Sequence, residues 1–111
     1  MPLASELALT GRHMSAQEAK SIGAINIISS SPDSVVDEAV ALAGKIADQS
    51  PDAVIVTRAG LRESWETASV ERASQNTAER YQRALMTGEN TKIGLMAFAQ
   101  KKKPQWVGSK L

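Results

Sequence analysis

The sequence predicts a mainly α-helical chain with at most one short strand, and three observations point to that fold class. Helix start signals recur, namely Ser, or Ser followed by Pro, before apolar-periodic segments, and Gly or Pro follows several of these segments. Apolar residues repeat at i, i+3 and i+4 spacing over residues 35–47. Only one apolar run, AINIIS at 24–29, has the length and branched residues of a strand.

The first forty residues carry clear helix boundaries. PLASELALTG starts abruptly, as if already within a helix. Ser15 with Glu18 three residues later forms a capping-box pattern, and Gly23 lies where a helix stop is expected. Ser31 and Pro32 then predict the start of a long helix, with Ser as the cap and Pro at the first helical position.

Three further helices are predicted after residue 50. Ser50 and Pro51 repeat the start signal, and the segment that follows is interrupted by Gly60. A second helix is expected over about 70–86, closed by Gly88. A third is expected over about 90–103 and stopped by Pro104.

Composition narrows the function classes. The 111 residues are the size of one domain or of a piece of a larger one. Thirteen basic and twelve acidic residues give a net charge of +1, so we expect no nucleic-acid partner. Cysteine is absent, which excludes thiol nucleophiles and thiolate metal sites. No apolar run approaches the roughly 18 residues of a membrane span, so we expect no membrane partner.

Residues 1–111 show no catalytic or metal-binding pattern. The single histidine, His13, has no cysteine or carboxylate cluster near it in sequence and makes a poor general base alone. GENTKIG places Lys92 before Gly94, the reverse of the order that a phosphate-binding loop needs. Arg62 and Glu66 are an i, i+4 pair, which indicates a solvated charged face. We therefore predict no catalytic residue and no metal ligand.

The last predicted helix carries a candidate binding pair. Phe98 and Lys101 are three residues apart and would lie side by side on a helix surface. An aromatic ring can pack on adenine, and a neighbouring ammonium can bind a phosphate. The alternative is structural: Phe98 in a core, and Lys101 with its two neighbouring lysines stabilising a helix C-terminus by ~0.3–1 kcal/mol each.

The chain ends in Ser109, Lys110 and Leu111. At a true C-terminus this tripeptide is read by the receptor for peroxisomal import. By itself the tripeptide leaves two interpretations open, a targeting signal or a polar tail.

Two blocks resemble the enoyl-CoA hydratase/isomerase (crotonase) family. ELALTGRHMSAQEAKSIGAIN is similar to a stretch that reads E-x-x-L-T-G, then A-x-E-A, then G-L-V-N. TGENTKIGLMAFAQKKKPQW is similar to the family's C-terminal helix, E-G-x-x-A-F-x-x-K-R-x-P, with Ile93 in place of the Glu. Together the blocks cover nearly the whole chain.

The resemblance implies a division of the chain. Residues 1–30 would be the end of the family's spiral-domain region, with a helix, a turn, a helix and a short strand. Residues 31–111 would be its C-terminal helical oligomerisation region, ending in the import signal. The ββα spiral domain, with its oxyanion hole and catalytic acids, is absent from residues 1–111. Phe98 and Lys101 would then contact the nucleotide end of coenzyme A.

These observations predict a C-terminal fragment of a peroxisomal enoyl-CoA hydratase/isomerase of fatty-acid β-oxidation. Its ligand would be an acyl-CoA thioester, bound as substrate without a separate cofactor. Its partners would be the import receptor and copies of itself in a trimer-based homo-oligomer. Alone, the fragment would be inactive. The alternative is a non-enzymatic helical module for assembly or interaction.

Overall fold

A computed structural model describes residues 2–111 and contains six helices within that range. They are α1 (Pro2–Thr10), α2 (Ala16–Ser21), α3 (Val35–Ala47), α4 (Pro51–Thr67), α5 (Val70–Thr87) and α6 (Glu89–Ala99). The mainly helical prediction is confirmed. The chain divides into two compact units, Met1–Val40 and Ala41–Leu111, and the division falls within α3.

The predicted strand over residues 24–29 is not formed. The N–H groups of Ala24 and Ile25 both donate to the carbonyl of Ala19, at 2.8 and 3.4 Å, which ties the start of the run to the end of α2. A strand requires a neighbouring backbone to complete its hydrogen bonds, and nothing in residues 2–111 pairs with this run. The apolar run therefore remains irregular, with Ile25 and Ile27 exposed.

Arg12 holds the helices of the first unit together. Its Nε lies 2.9 Å from the carboxylate of Glu6 on α1, and its Nη2 lies 2.7 Å from the carboxylate of Glu18 on α2. The predicted cap is confirmed, since the Glu18 N–H donates to the Ser15 hydroxyl at 3.1 Å. Gly23 ends the α2 turn at a φ of +75°, the left-handed conformation that glycine adopts without strain.

The Arg12 contact makes the first unit sensitive to acid. Hydrogen bonds from Arg12 lower the pKa of Glu18 below its usual value of 4.5. A lowered folded-state pKa stabilises the fold above the unfolded value, and that stabilisation is lost as the pH falls through the folded value. We expect thermal melts between pH 6 and pH 2.5 to show a smaller acid-dependent drop for Glu18→Gln than for the natural chain. Parallel curves would contradict this.

The α3 start differs from the prediction. Ser31 and Pro32 lie in a turn, and the helix begins at Val35. The carboxylate of Glu38 explains the shift, because it accepts the Ser30 N–H at 2.9 Å and the Ser34 hydroxyl at 2.8 Å. These bonds satisfy the preceding backbone as a turn, and the Ser30 N–H also lowers the pKa of Glu38.

Helices α4 and α5 form the main packed pair of the second unit. The predicted Ser50-Pro51 start is confirmed, with the Ser50 hydroxyl accepting the Ala53 N–H. Gly60 does not interrupt α4; a Cβ built there would lie 3.5 Å from Thr77 of α5, so the glycine lies at the contact between the two helices. Gly88 closes α5, as predicted, and also begins α6.

Candidate functional site

The candidate binding residues Phe98 and Lys101 lie at the C-terminal end of α6, which is shorter than predicted. The helix ends at Ala99. The Lys101 N–H donates to the Phe98 carbonyl at 3.1 Å, and the Lys102 N–H donates to the Ala97 carbonyl at 2.9 Å. This bonding pattern is the Schellman motif, which closes a helix. Lys101 therefore lies beyond the helix, and the prediction that it shares a helical surface with Phe98 is wrong.

Lys101 occupies a strained backbone position. Its φ is 54°, in the left-handed region where the Schellman motif usually places glycine. A side chain with a Cβ pays roughly 1–2 kcal/mol for this conformation. Within residues 2–111, Ala68 is the other non-glycine residue with a positive φ. A lysine kept at a glycine position is typical of a residue whose side chain has a separate role.

Phe98 is exposed. Its relative accessibility is 86%, and its neighbours Leu95 and Met96 are also exposed. The interpretation of Phe98 as a core residue is therefore wrong within this chain. The end of α6 instead presents an aromatic ring to its surroundings.

The three consecutive lysines differ in their contacts. Lys103 forms an ion pair with Asp48, with 2.9 Å between Nζ and Oδ1. Lys101 and Lys102 form no ion pair with any described residue and are exposed. The ammonium groups of Lys101 and Lys102, three and four residues after Phe98, are thus available to an anionic ligand. The ammonium group of Lys103 is paired with Asp48.

After the three lysines, the Trp106 ring packs on Gly94 of α6. Its indole Nε1 donates to the Asp48 carbonyl at 2.9 Å. A Cβ built on Gly94 would lie 3.1 Å from the Trp106 ring, closer than most Cβ contacts, so a side chain at 94 would push the ring by a few tenths of an ångström. Gly94, which the sequence resemblance includes, thus favours a contact that holds the segment after Lys101.

A buried polar cluster anchors Val107, the residue after Trp106, and the sequence did not indicate it. Asn90 is 2% exposed, and its side-chain amide accepts the Val107 N–H and donates to the Val107 carbonyl, both at 3.0 Å. The same amide nitrogen donates to Asp52 Oδ2 at 3.2 Å. Asp52 is also buried, and its Oδ1 has no hydrogen-bond partner among the described residues. These three residues are far apart in sequence, so no local pattern reveals the cluster.

The predicted targeting residues follow this anchor. Lys110 Nζ lies 3.5 Å from Glu89 Oε2, and the Ser109 hydroxyl accepts the Leu111 N–H at 3.2 Å. Lys110 and Leu111 line a cavity of about 230 Å³ together with Asp52 and Asn90. The last three residues therefore lie against the second unit.

The other sequence-predicted residues have simpler surroundings. His13 is exposed, and its backbone carbonyl accepts a bond from Arg12. Arg62 and Glu66 are both exposed and form no ion pair in the described part of the chain. Residues 2–111 hold no group of three His, Cys, Asp or Glu side chains placed to share a metal. None of their helices is long and apolar enough to cross a membrane.

The chain matches the family model described as enoyl-CoA hydratase/isomerase over residues 1–109. The mevalonyl-coenzyme A hydratase of Beauveria bassiana is 45% identical over 108 residues, which are 97% of this chain and 39% of that protein. The mevalonyl-coenzyme A hydratase of Aspergillus fumigatus is 43% identical over 108 residues, which are 97% of this chain and 40% of that protein. A probable enoyl-CoA hydratase of Bacillus subtilis is 33% identical over 95% of this chain and 40% of its own.

Solved structures show the same relationship. A crystal structure of enoyl-CoA hydratase from Mycobacterium tuberculosis H37Rv matches 97% of this chain with a TM-score of 0.86 at 32% identity. That match covers 42% of the mycobacterial chain. The enoyl-CoA hydratase from Mycobacterium marinum matches with a TM-score of 0.82 at 34% identity. The chain thus has the fold of the helical part of these enzymes and spans about two fifths of their length.

Proposed function

The chain belongs to the enoyl-CoA hydratase/isomerase family, and from this membership we propose that it is the C-terminal, CoA-contacting portion of a hydratase acting on acyl-CoA thioesters. The end of α6 carries this proposal. An exposed ring at Phe98 and unpaired ammonium groups at Lys101 and Lys102 suit a flat base and a phosphate, the two features of a CoA nucleotide.

The substrate we propose is a short 3-hydroxyacyl-CoA of the mevalonyl-CoA type. Its support is the identity of 45% and 43% to two fungal mevalonyl-coenzyme A hydratases. The second candidate is a fatty enoyl-CoA of β-oxidation, supported by the 33% identity to a probable enoyl-CoA hydratase. Phe98 and Lys101 would serve either substrate, because both carry the same CoA nucleotide.

The chemistry requires groups that the described residues do not supply. Addition or loss of water next to a thioester passes through charge on the thioester oxygen, which a pair of hydrogen-bond donors must stabilise while carboxylates move the proton. The contribution of this chain is binding: its contacts at the remote nucleotide end hold the thioester in place. We therefore expect the isolated chain to leave the enoyl-thioester absorbance of crotonyl-CoA unchanged, whereas protein-dependent loss of that absorbance would contradict the assignment.

The apolar surface supports assembly into a homo-oligomer, for which we propose a trimer-based arrangement. The buried apolar residues of the described chain are Ala19 and Ala73 alone. Large apolar side chains such as Val36, Leu61 and Trp65 are more than 60% exposed. Apolar surface of this extent marks an interface with other protein.

We expect the isolated chain to self-associate for the same reason. Sedimentation velocity between 1 and 100 μM should show a mass that grows with concentration. A folded monomer throughout that range would contradict the assembly proposal. An associating chain with no role in turnover, even when the rest of the enzyme is supplied, would favour the alternative of a non-enzymatic assembly module.

The proposed location is the peroxisome, through Ser109, Lys110 and Leu111. The support is the tripeptide itself, read as a receptor address. Its partner would be the import receptor, which binds the terminal carboxylate and the Lys and Leu side chains together.

A further inference from the structure

The last residues of the chain contact other residues of the second unit in two places. The first is the Asn90–Val107 contact, in which one buried side-chain amide satisfies both the N–H and the carbonyl of Val107. Two hydrogen bonds to one backbone residue fix its direction as well as its position. Residues 108–111 lie beyond this contact.

The second set of contacts involves the proposed targeting residues, Ser109, Lys110 and Leu111. Lys110 pairs with Glu89 at the start of α6, and Leu111 lines the cavity beside Asp52 while 37% of its surface stays exposed. The Leu111 N–H is bonded to the Ser109 hydroxyl, which folds the tripeptide on itself. In this arrangement the lysine and leucine side chains are both engaged by the chain's own surface.

We propose that this docked tail is an autoinhibitory contact that competes with the import receptor for Ser109, Lys110 and Leu111. The inference rests on the import signal proposed above. A receptor that reads the tripeptide as a unit must separate Lys110 from Glu89 and move Leu111 away from the cavity that it lines. Glu89 and the cavity wall thus act as an internal competitor.

The competition is weak enough to be reversible. The side chains of Lys110 and Glu89 are 84% and 57% exposed, and an exposed ion pair of this kind adds only modestly to docking. Asp52 also lines the cavity and brings a buried carboxylate to it, so water can solvate this polar wall when Leu111 moves away. The apparent affinity for the receptor is the affinity of the free tail multiplied by the fraction of time that the tail is undocked, which lowers it by roughly two- to fivefold.

The Asn90 anchor also limits how far the released signal extends. Four residues at about 3.5 Å each reach roughly 14 Å from Val107. The receptor must therefore approach the surface of the second unit closely, even after the tripeptide is free.

The test measures binding of the purified receptor domain for C-terminal Ser-Lys-Leu by fluorescence anisotropy. Its ligands are the full chain, Glu89→Gln, and a synthetic peptide of residues 104–111. Glu71→Gln is the matched control, because Glu71 lies in the first turn of α5 as Glu89 does in α6 and forms no ion pair with Lys110. We expect the peptide and Glu89→Gln to bind two- to fivefold more tightly than the natural chain, and Glu71→Gln to bind like it. Equal affinities for all four would overturn the docking proposal.

Two further variants separate this inference from the address on which it rests. Removing Leu111, or changing Lys110→Glu, should abolish receptor binding by both chain and peptide. If the unmodified peptide fails to bind, the import signal is wrong and the docking proposal falls with it. If the peptide binds and Glu89→Gln changes nothing, the address stands and only the autoinhibitory contact is refuted.

Discussion

Asn90→Ala is expected to lower the free energy of unfolding by about 3 kcal/mol. The substitution removes three hydrogen bonds at once. It also leaves the buried carboxylate of Asp52 without the one side-chain donor that residues 2–111 give it. An unpaired buried charge costs more than a lost bond, because it was removed from water without compensation. Urea melts followed by circular dichroism measure the change.

Asn76→Ala is the matched control. Asn76 is half-buried and makes one side-chain bond, to Glu63 at 2.6 Å, so its loss should cost about 1 kcal/mol. Adding Asp52→Ala to Asn90→Ala should recover part of the stability, because the unpaired carboxylate is then absent. Equal effects of Asn90→Ala and Asn76→Ala, with no recovery in the double variant, would show that the cluster does not hold the tail.

Phe98→Ala is expected to weaken binding of a CoA ester to the assembled enzyme by about 1–3 kcal/mol, the range measured for aromatic rings that stack on bases. The ring is 86% exposed in this chain, so its removal should leave the stability of the isolated chain almost unchanged. The expected kinetic signature is a raised KM, with kcat falling only if the remote contact helps to position the thioester. A lower melting temperature with an unchanged KM would contradict the CoA contact.

Lys101 allows its structural and binding roles to be separated by two substitutions. Lys101→Ala keeps the strained backbone and removes the ammonium group, whereas Lys101→Gly removes both. Both variants should raise KM, and the difference from the natural enzyme should shrink at high salt because a partly exposed phosphate contact is screened. Only Lys101→Gly should also raise stability, by about 1 kcal/mol. Unchanged KM values in both would leave Lys101 as a helix-end residue alone.

Local signals in the sequence predicted much of the fold. The hydroxyls of Ser15 and Ser50 cap the first backbone N–H groups of α2 and α4. Gly23 adopts the positive φ that the end of α2 requires. Gly88 also ends α5 as predicted, and the structure gives a steric reason: a Cβ there would lie 2.9 Å from the Ala84 carbonyl. Such features depend on residues within one helical turn, which a sequence shows directly.

The predictions that failed depend on groups that are distant in sequence or that compete with a local signal. The 24–29 run has the composition of a strand, yet no described backbone pairs with it. At Ser31 and Pro32 the start signal is overridden by the Glu38 carboxylate. The end of α6 was placed at Pro104, whereas the Schellman bonds to Ala97 and Phe98 close it earlier around a lysine.

The candidate site shows the same limit. The spacing of Phe98 and Lys101 and the family resemblance both indicate these two residues, and the structure adds that one is exposed and the other strained. The cluster that fixes the tail joins residues 52, 90 and 107, whose separation leaves no periodic signal. From the sequence alone, Asn90 would be interpreted as a solvent-exposed residue near a helix start, because its bonds to Val107 are visible only in the structure.

The most direct test of the central claim is the activity of a chimera in which this chain replaces the matching 39% of the Beauveria bassiana mevalonyl-coenzyme A hydratase. We predict that the chimera assembles like its parent and turns over mevalonyl-CoA, with a KM that rises on Phe98→Ala. Comparison with crotonyl-CoA distinguishes the two substrate candidates. A chimera that assembles to the parental mass but shows no turnover of either thioester would contradict the account.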